Sequence, residues 1–395
     1  MRVLLAPDSF TGTLTATQAG AAMRAGWAAQ APGDELTVCP LSDGGPGFVD
    51  TLASTLGGAL EVVTVPGPLG DPVPASVLWV GDTAYVETAQ ACGLHLVPPQ
   101  LRDPTRTTTT GVGELLTAAV QGGARRVVLG LGGSGTNDGG AGMLAALGAG
   151  PAALLGRGGG ALADLPSDAL AHLVDVRRQL AGVRLLVATD VDVPLLGLQG
   201  ASAGFATQKG ATPEQAQALE AALGRYAQVA QESLGPLAGP DLLAGPGPGH
   251  SAVAARRGRQ RLSGAPGAGA AGGLAFGLLL LGGQRVPGAA TVLDAVGLDA
   301  RLASSDLVVT GEGCFDWQSL RGKVVAAVAQ RALTVGVPTI VIAGRVEAGR
   351  RESTAAGIES SYAVAETPQQ VAAALADPSG TLAARTRRVA RTWSR

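Results

Sequence analysis

The chain has 395 residues, 46% of them hydrophobic and 15% charged, with a net charge of −2. That length accommodates about two domains of ~100–200 residues, and the near-neutral charge argues against a nucleic-acid or anionic-membrane partner. Aromatic residues, at 3%, are too scarce for a base-stacking surface.

The apolar start is interrupted by Asp8, so a signal-peptide layout is not expected. The longest apolar stretch, "AAGGLAFGLLLL", is shorter than the ~20 residues that span a bilayer. Cys39, Cys92 and Cys314 show neither a disulfide framework nor zinc-ligand spacing. These readings predict a soluble, cytoplasmic protein. Only two of the 29 basic residues are lysines, Lys209 and Lys323. A compact ammonium is retained where a planar guanidinium does not serve, or the two simply escaped the bias toward arginine.

In chain order, Val3 to Ala6 reads as a buried strand that stops at Pro7, Asp8 and Ser9, and a helix follows from Thr13. "LSDGGPG" then sets Asp43 beside Gly44 and Gly45. Residues 61–87 alternate in short runs between Pro and Gly turns, which predicts antiparallel strands. "TTTTGVGELLTAAV" places Thr108 and Thr109 at a helix start, where backbone N–H groups favour an anion. The strand "RRVVL" runs into "GGSGTNDGGAGM", with Ser134, Asn137 and Asp138.

A loop is expected over "LLGRGGGALADLPSD", then the strand "VRLLVATDVD" ending in Asp190 and Asp192. Thr212-Pro213 with Gln215 predicts a capping box opening a long helix, and Thr367-Pro368 with Gln370 repeats the device. A second Gly/Pro-rich loop carries Arg256, Arg257, Arg259 and Arg261, read as a solvated basic stretch. The strands "SDLVVTGEG" and "VPTIVIAGR" follow, with Thr310, Glu312 and Arg345 at their ends.

Continuous apolar strands alternating with helices predict parallel sheets covered on both faces, with ligands outside the strands' carboxyl ends. A β-rich segment interrupting that pattern predicts an inserted domain. GxGxxG occurs at Gly130, Gly132 and Gly135, but no second strand ends in an acidic residue about 20 positions later, which disfavours a dinucleotide. A Walker loop is absent, since Val324 follows Gly322-Lys323. What remains is five clusters of carboxylates and small donors, expected at one sheet edge. Each alone reads as a helix cap. Together they predict a shared ligand, and carboxylates among amide donors suit a Mg²⁺–phosphate complex.

The ordered set "APDSFTG", "LSDGGPG", "TTTTGVGEL", "GGSGTNDGGAGM", "QKGATPE", "PGAGAAGGL", "VTGEG" and "LRGK" resembles the bacterial type I glycerate kinase family from residue 3 to about 345. The resemblance implies an α/β fold: a Rossmann-like parallel-sheet domain formed by both chain ends (1–60 and 290–395), and an inserted second α/β domain (61–289) containing antiparallel strands. It implies ATP- and Mg²⁺-dependent phosphorylation of D-glycerate, usually to 2-phosphoglycerate, with no nucleic-acid or membrane partner. Oligomeric state stays open.

Roles are assigned here by chemistry. Asp190, Lys323 and Asp8 are the expected catalytic residues, with Asp190 orienting or deprotonating the substrate hydroxyl. Asp8, Asp43, Asp138 and Asp192 are candidate metal ligands. Ser9 and Thr310 are expected to donate to phosphate oxygens. Gly44, Gly45, Thr108, Thr109, Ser134, Asn137, Lys209, Glu312, Arg321 and Arg345 complete the expected substrate and nucleotide contacts.

Relative to the family pattern, Thr11 replaces a lysine, Pro46 a glutamate, Asp192-Val193 a Thr-Asn pair and Cys314 an arginine. Two cations are lost, and Arg321 and Arg345 are candidates to replace them. Phosphoryl transfer depends on positioning and charge stabilisation. Two alternatives therefore stay open: a nucleotide- or metabolite-binding paralogue with impaired catalysis, and a kinase of another small hydroxy acid.

Overall fold

The computed structural model describes residues 1–10, 12–238, 262–320 and 322–394. Thr11, Arg321 and the arginines at 256, 257, 259 and 261 lie outside the described residues. The chain divides into two compact units, Met1–Gly57 with Pro287–Arg395, and Gly58–Val286. Strands β1 (Arg2–Pro7) and β2 (Glu35–Val38) open the first unit. The second holds β3 (Ala59–Pro66), β4 (Pro72–Val80), β5 (Thr83–Glu87), β6 (Arg126–Gly130), β7 (Arg184–Ala188) and β8 (Gln284–Val286). The chain then returns to the first unit with β9 (Leu307–Gly311), β10 (Cys314–Phe315), β11 (Thr339–Ala343), β12 (Arg345–Val346) and β13 (Ile358–Ala363).

In the first unit a five-stranded sheet runs β13-β11-β9-β1-β2, parallel throughout. Its strands are apolar because both faces are covered. Ile340 and Ile342 join Val3, Leu5, Met23 and Trp27 on one face, while Val341 and Ala343 pack with Phe315, Val325 and Ala329 on the other. On the first face, helix Ala16–Gln30 lies directly against helix Pro378–Trp393. Gly26 permits that approach, since a Cβ there would stand 2.1 Å from the Ala383 carbonyl oxygen. The first helix opens with a capping box between Thr15 and Gln18.

The second unit has one six-stranded sheet, ordered β3-β4-β5-β6-β7-β8. Its first three strands pair antiparallel, as the Pro- and Gly-punctuated alternation over 61–87 predicts, and the rest are parallel. Helices Thr110–Gln121, Pro213–Leu234 and Leu274–Leu280 supply side chains to one large core. Both expected capping boxes form, at Thr212/Gln215 here and Thr367/Gln370 in the first unit. Residues Gly159–Asp164, expected as loop, form a 3₁₀ turn that buries Leu162 against the core. The apolar stretch near residue 275 is the short core helix Leu274–Leu280, and no described helix is long and apolar enough to cross a membrane.

One expectation is corrected by this division. The carboxylate clusters do not share a sheet edge. Asp8, Asp43 and Glu312 follow β1, β2 and β9 of the first sheet, whereas Asp138 and Asp190 follow β6 and β7 of the second. A strand's apolar run announces that a ligand edge exists, but not which sheet the strand joins.

Candidate active site

The first unit gathers the acids Asp8, Asp43 and Glu312 around Lys323, with Asp316 also acting on Glu312. β1 and β9 are neighbours, so Asp8 and Glu312 emerge side by side; the Asp8 N–H donates to the Gly311 carbonyl at 2.8 Å. Burial pushes the Asp8 carboxyl well above the usual carboxylate range, and Asp43 and Glu312 add like-charge repulsion. The Ser9 N–H, 2.6 Å from Asp8 Oδ1, and the Lys323 ammonium act the other way. Burial likewise raises Glu312 to about 7, against the pull of Ser319 and Lys323. Its Oε1 is buried and meets no hydrogen-bond donor among the described residues.

The mutual repulsion of these crowded carboxyls favours a divalent cation such as Mg²⁺, which would offset it. Hard oxygen donors and an orphaned carboxylate oxygen fit that ion. Among the described residues no three His, Cys, Asp or Glu side chains form a closed metal-binding group.

Several expected contacts prove to be internal. Thr310 is fully buried and its hydroxyl donates to the Ala6 carbonyl at 2.8 Å, tying β9 to β1 rather than facing a phosphate. The Gly44 N–H reaches Ser42 Oγ (3.2 Å) and the Gly45 N–H reaches Asp43 Oδ1 (2.9 Å). Those donors shape the loop that presents Asp43 and are not left for a ligand. Ser9 is half-buried, and its hydroxyl makes no bond among the described residues.

In the second unit, Asp138 is buried completely. Its Oδ2 accepts from the Thr109 N–H (2.8 Å), the Thr109 hydroxyl (2.9 Å) and the Gly142 N–H (3.2 Å), and its Oδ1 from the Gly140 N–H (3.1 Å). The anion at the start of helix Thr110–Gln121 is thus the chain's own carboxylate. Asp138, expected as a metal ligand, and Thr109, expected as an anion donor, are bonded to each other here, and the Thr108 hydroxyl adds a long contact to Oδ2 at 3.5 Å. Thr108, nearly buried, shares its hydroxyl with that of Thr110 at 2.9 Å.

Lys209 is also buried, with Nζ donating to Ser134 Oγ (3.0 Å) and the Thr136 carbonyl (2.7 Å). Burial pulls its pKa down to about 8, while Cys92 and Asp138 favour its charge. Asn137 gives its amide N–H to Ser202 Oγ (2.9 Å), and its Oδ1 is buried without a partner among the described residues. Asp190 is half-buried just beyond the end of β7. Asp192 is exposed and ion-paired with Arg285 at 2.9 Å.

With that geometry in place, the chain can be set beside known proteins. A sequence model of the glycerate kinase family matches residues 3–394. The chain belongs to the glycerate kinase family. It is 39% identical to a glycerate kinase of Bacillus subtilis over 92% of this chain and 90% of that one. To a glycerate 2-kinase of Escherichia coli the identity is 36%, over 87% and 85%. A crystal structure of a putative glycerate kinase 2 from Salmonella typhimurium LT2 superposes with a TM-score of 0.76 at 36% identity, covering 99% of this chain and 98% of the other.

For a glycerate kinase family member, the altered position 314 has a structural neighbour of interest. Cys314 and Arg345 are register partners in the two-stranded β10–β12 ladder. Arg345 is exposed and pairs loosely with Glu347 at 3.6 Å. Ser202 and Cys92 escaped the motif reading because each acts on a side chain far away in sequence, Asn137 and Lys209 respectively, whereas Ser319 acts on its near neighbours Glu312 and Asp316. Ser319 directly precedes the stretch "LRGK", and Ser202 lies seven residues before Lys209.

Glu312 gives a pH test. Between pH 4.5 and about 7 the folded chain holds a proton that the unfolded chain has released, so stability falls as pH rises and the full cost stands above pH 7. The shift caps this cost at roughly 3 kcal/mol. With divalent ions chelated, Glu312→Gln is expected to raise the urea midpoint at pH 8 and leave it nearly unchanged at pH 5. Equal gains at both values would contradict the assignment.

Proposed function

We propose that the protein is a cytoplasmic type I glycerate kinase, transferring the γ-phosphoryl group of ATP to the 2-hydroxyl of D-glycerate. The observation that carries this reading is the acid–lysine group at the carboxyl ends of β1, β2 and β9, in a chain that matches the glycerate kinase family along nearly its whole length. Asp8 and Asp43 are the proposed Mg²⁺ ligands, with Glu312 in reach of the ion's water shell. The ion would offset repulsion between these carboxylates and the ATP phosphates. Ser9 donates to a phosphate oxygen, and Lys323 balances charge on the transferring group.

Asp190 receives or orients the proton of the substrate hydroxyl. Glu312, held near neutrality, is the other group whose proton affinity suits general-base work. Lys209, Ser134, Asn137, Thr108 and Thr109 shape the second unit's strand-end loops. The E. coli relative's name, glycerate 2-kinase, supports the choice of hydroxyl. The test is ADP release with D-glycerate and Mg²⁺, followed by identification of the product by phosphorus NMR. Turnover with D-glycerate yielding 2-phosphoglycerate is the expected result, and ATP binding without turnover would defeat the proposal.

A second reading, a kinase of another small hydroxy acid, is favoured by the replacements at Pro46 and Cys314. The same assay over a set of hydroxy acids separates the two. Because Arg345 stands opposite Cys314, it is the proposed replacement for the missing guanidinium. Arg345→Ala is therefore expected to lower kcat/KM by about tenfold or more, or ~1.4 kcal/mol of transition-state stabilisation. An unchanged value in steady-state kinetics would remove Arg345 from the site.

A further inference from the structure

We infer that the second unit carries an additional anion site, an arginine-walled cavity at the amino-terminal ends of β6 and β7 that binds a phosphorylated small molecule with two or more negative charges. The cavity has a volume of ≈ 730 Å³ and is lined by Arg125, Arg177, Arg178 and Arg184, with no aspartate or glutamate among its described lining residues. A volume in the range of ~300–1,000 Å³ is that of small-molecule sites.

Two of these arginines are fixed by the sheet. Arg125 immediately precedes β6, Arg184 opens β7, and the Arg184 N–H donates to the Arg125 carbonyl at 2.8 Å. Arg177 is anchored from the helix side, where Nη1 donates to the Leu280 carbonyl at 3.0 Å. Burial lowers the Arg177 pKa, so its charge gains from a counter-ion. Among the described residues only Arg178 of the four has a carboxylate partner, Asp175 at 2.8 Å.

Arg125, Arg178 and Arg184 are exposed and Arg177 is half-buried, so an anion in the hollow would meet guanidinium groups from several sides and offset their mutual repulsion. Their planar forks match phosphate oxygens in pairs. Val174, Leu180 and Leu281 give the cavity an apolar floor. No aromatic side chain is among its described lining residues, which disfavours a nucleic-acid strand held by stacking. The site is separate from the strand-end loops carrying Asp138 and Asp190. β6 and β7 are five residues long, so their two ends stand ~13–16 Å apart.

The test uses the full chain and inorganic pyrophosphate as probe. Arginines are modified with phenylglyoxal and the rate at each is read by mass spectrometry, with sodium chloride at matched ionic strength as the control. At ten times the dissociation constant, occupancy predicts about tenfold slower modification at Arg125, Arg177 and Arg184, and no change at Arg388, exposed on the C-terminal helix. In the double variant Arg125→Gln/Arg184→Gln the protection of Arg177 is lost. Protection no greater than with chloride, or equal at Arg388, overturns the site. The Asp8→Asn variant keeps the protection, so a failure of the kinase proposal and a failure of this one are told apart.

Discussion

Lys323→Met lowers kcat by about 10²–10³, the usual loss when one preorganised charge-stabilising donor is removed. Lys323 stands at the N-cap of helix Val324–Thr334 with an extended backbone, directly after Gly322 at φ +92°. Its side chain makes no capping bond there. Ser, Thr, Asn or Asp would cap better, and an ammonium at the positive end of a helix is disfavoured by ~0.3–1 kcal/mol. A residue that works against its own helix, in a chain with only two lysines, is explained by what it faces. Its charge acts on Asp8 and Glu312 and lowers the pKa of both.

Lys323→Arg is expected to recover only part of the rate, because a planar fork does not replace a compact ammonium. The measurement is kcat and KM for ATP and D-glycerate, with a urea midpoint as folding control. A methionine variant within threefold of the parent rate would exclude the ammonium from phosphoryl transfer.

The second large effect is on stability. Asp138→Ala removes the acceptor for three backbone N–H groups and the Thr109 hydroxyl, all inside the protein. It also withdraws the negative charge that favours the buried Lys209 ammonium. Breaking one side of a buried charge arrangement costs on the order of 3–5 kcal/mol, against a typical total of ~5–15. Asp138→Asn keeps the shape but replaces one acceptor oxygen by a donor, so it too is destabilising. Hydrogen exchange read by mass spectrometry should show lost protection in residues 107–121 and 136–145, with the β1–β9 region unchanged. Protection retained in those peptides would mean that the network contributes little.

Both predictions depend on facts of different legibility. The capping boxes at Thr212 and Thr367, the antiparallel run before Glu87 and the strand ends at Asp8 and Glu312 were readable, because each depends on neighbours within a few residues. Asp138 was not. In "GGSGTNDGGAGM" an aspartate among glycines looks like a ligand grip, yet it turns inward because Thr109, about 30 residues earlier, closes over it. Gly44 and Gly45 misled in the same way, since a glycine pattern says that backbone N–H groups are accessible and not what they bind. The arginines around β6 and β7 carry no motif, and only the sheet sets Arg125 beside Arg184.

Sequence alone determined the alternation of apolar strands and helices, the positions of the chemistry-bearing clusters and the resemblance to glycerate kinases, all of which follow from local pattern. Only the tertiary structure decided which clusters share a sheet, which polar atoms are satisfied within the fold and where like charges crowd. Those outcomes depend on pairings such as Ala6 with Thr310, between residues about 300 positions apart. No local preference specifies such a pairing, because it is selected by burial of both strand faces at once.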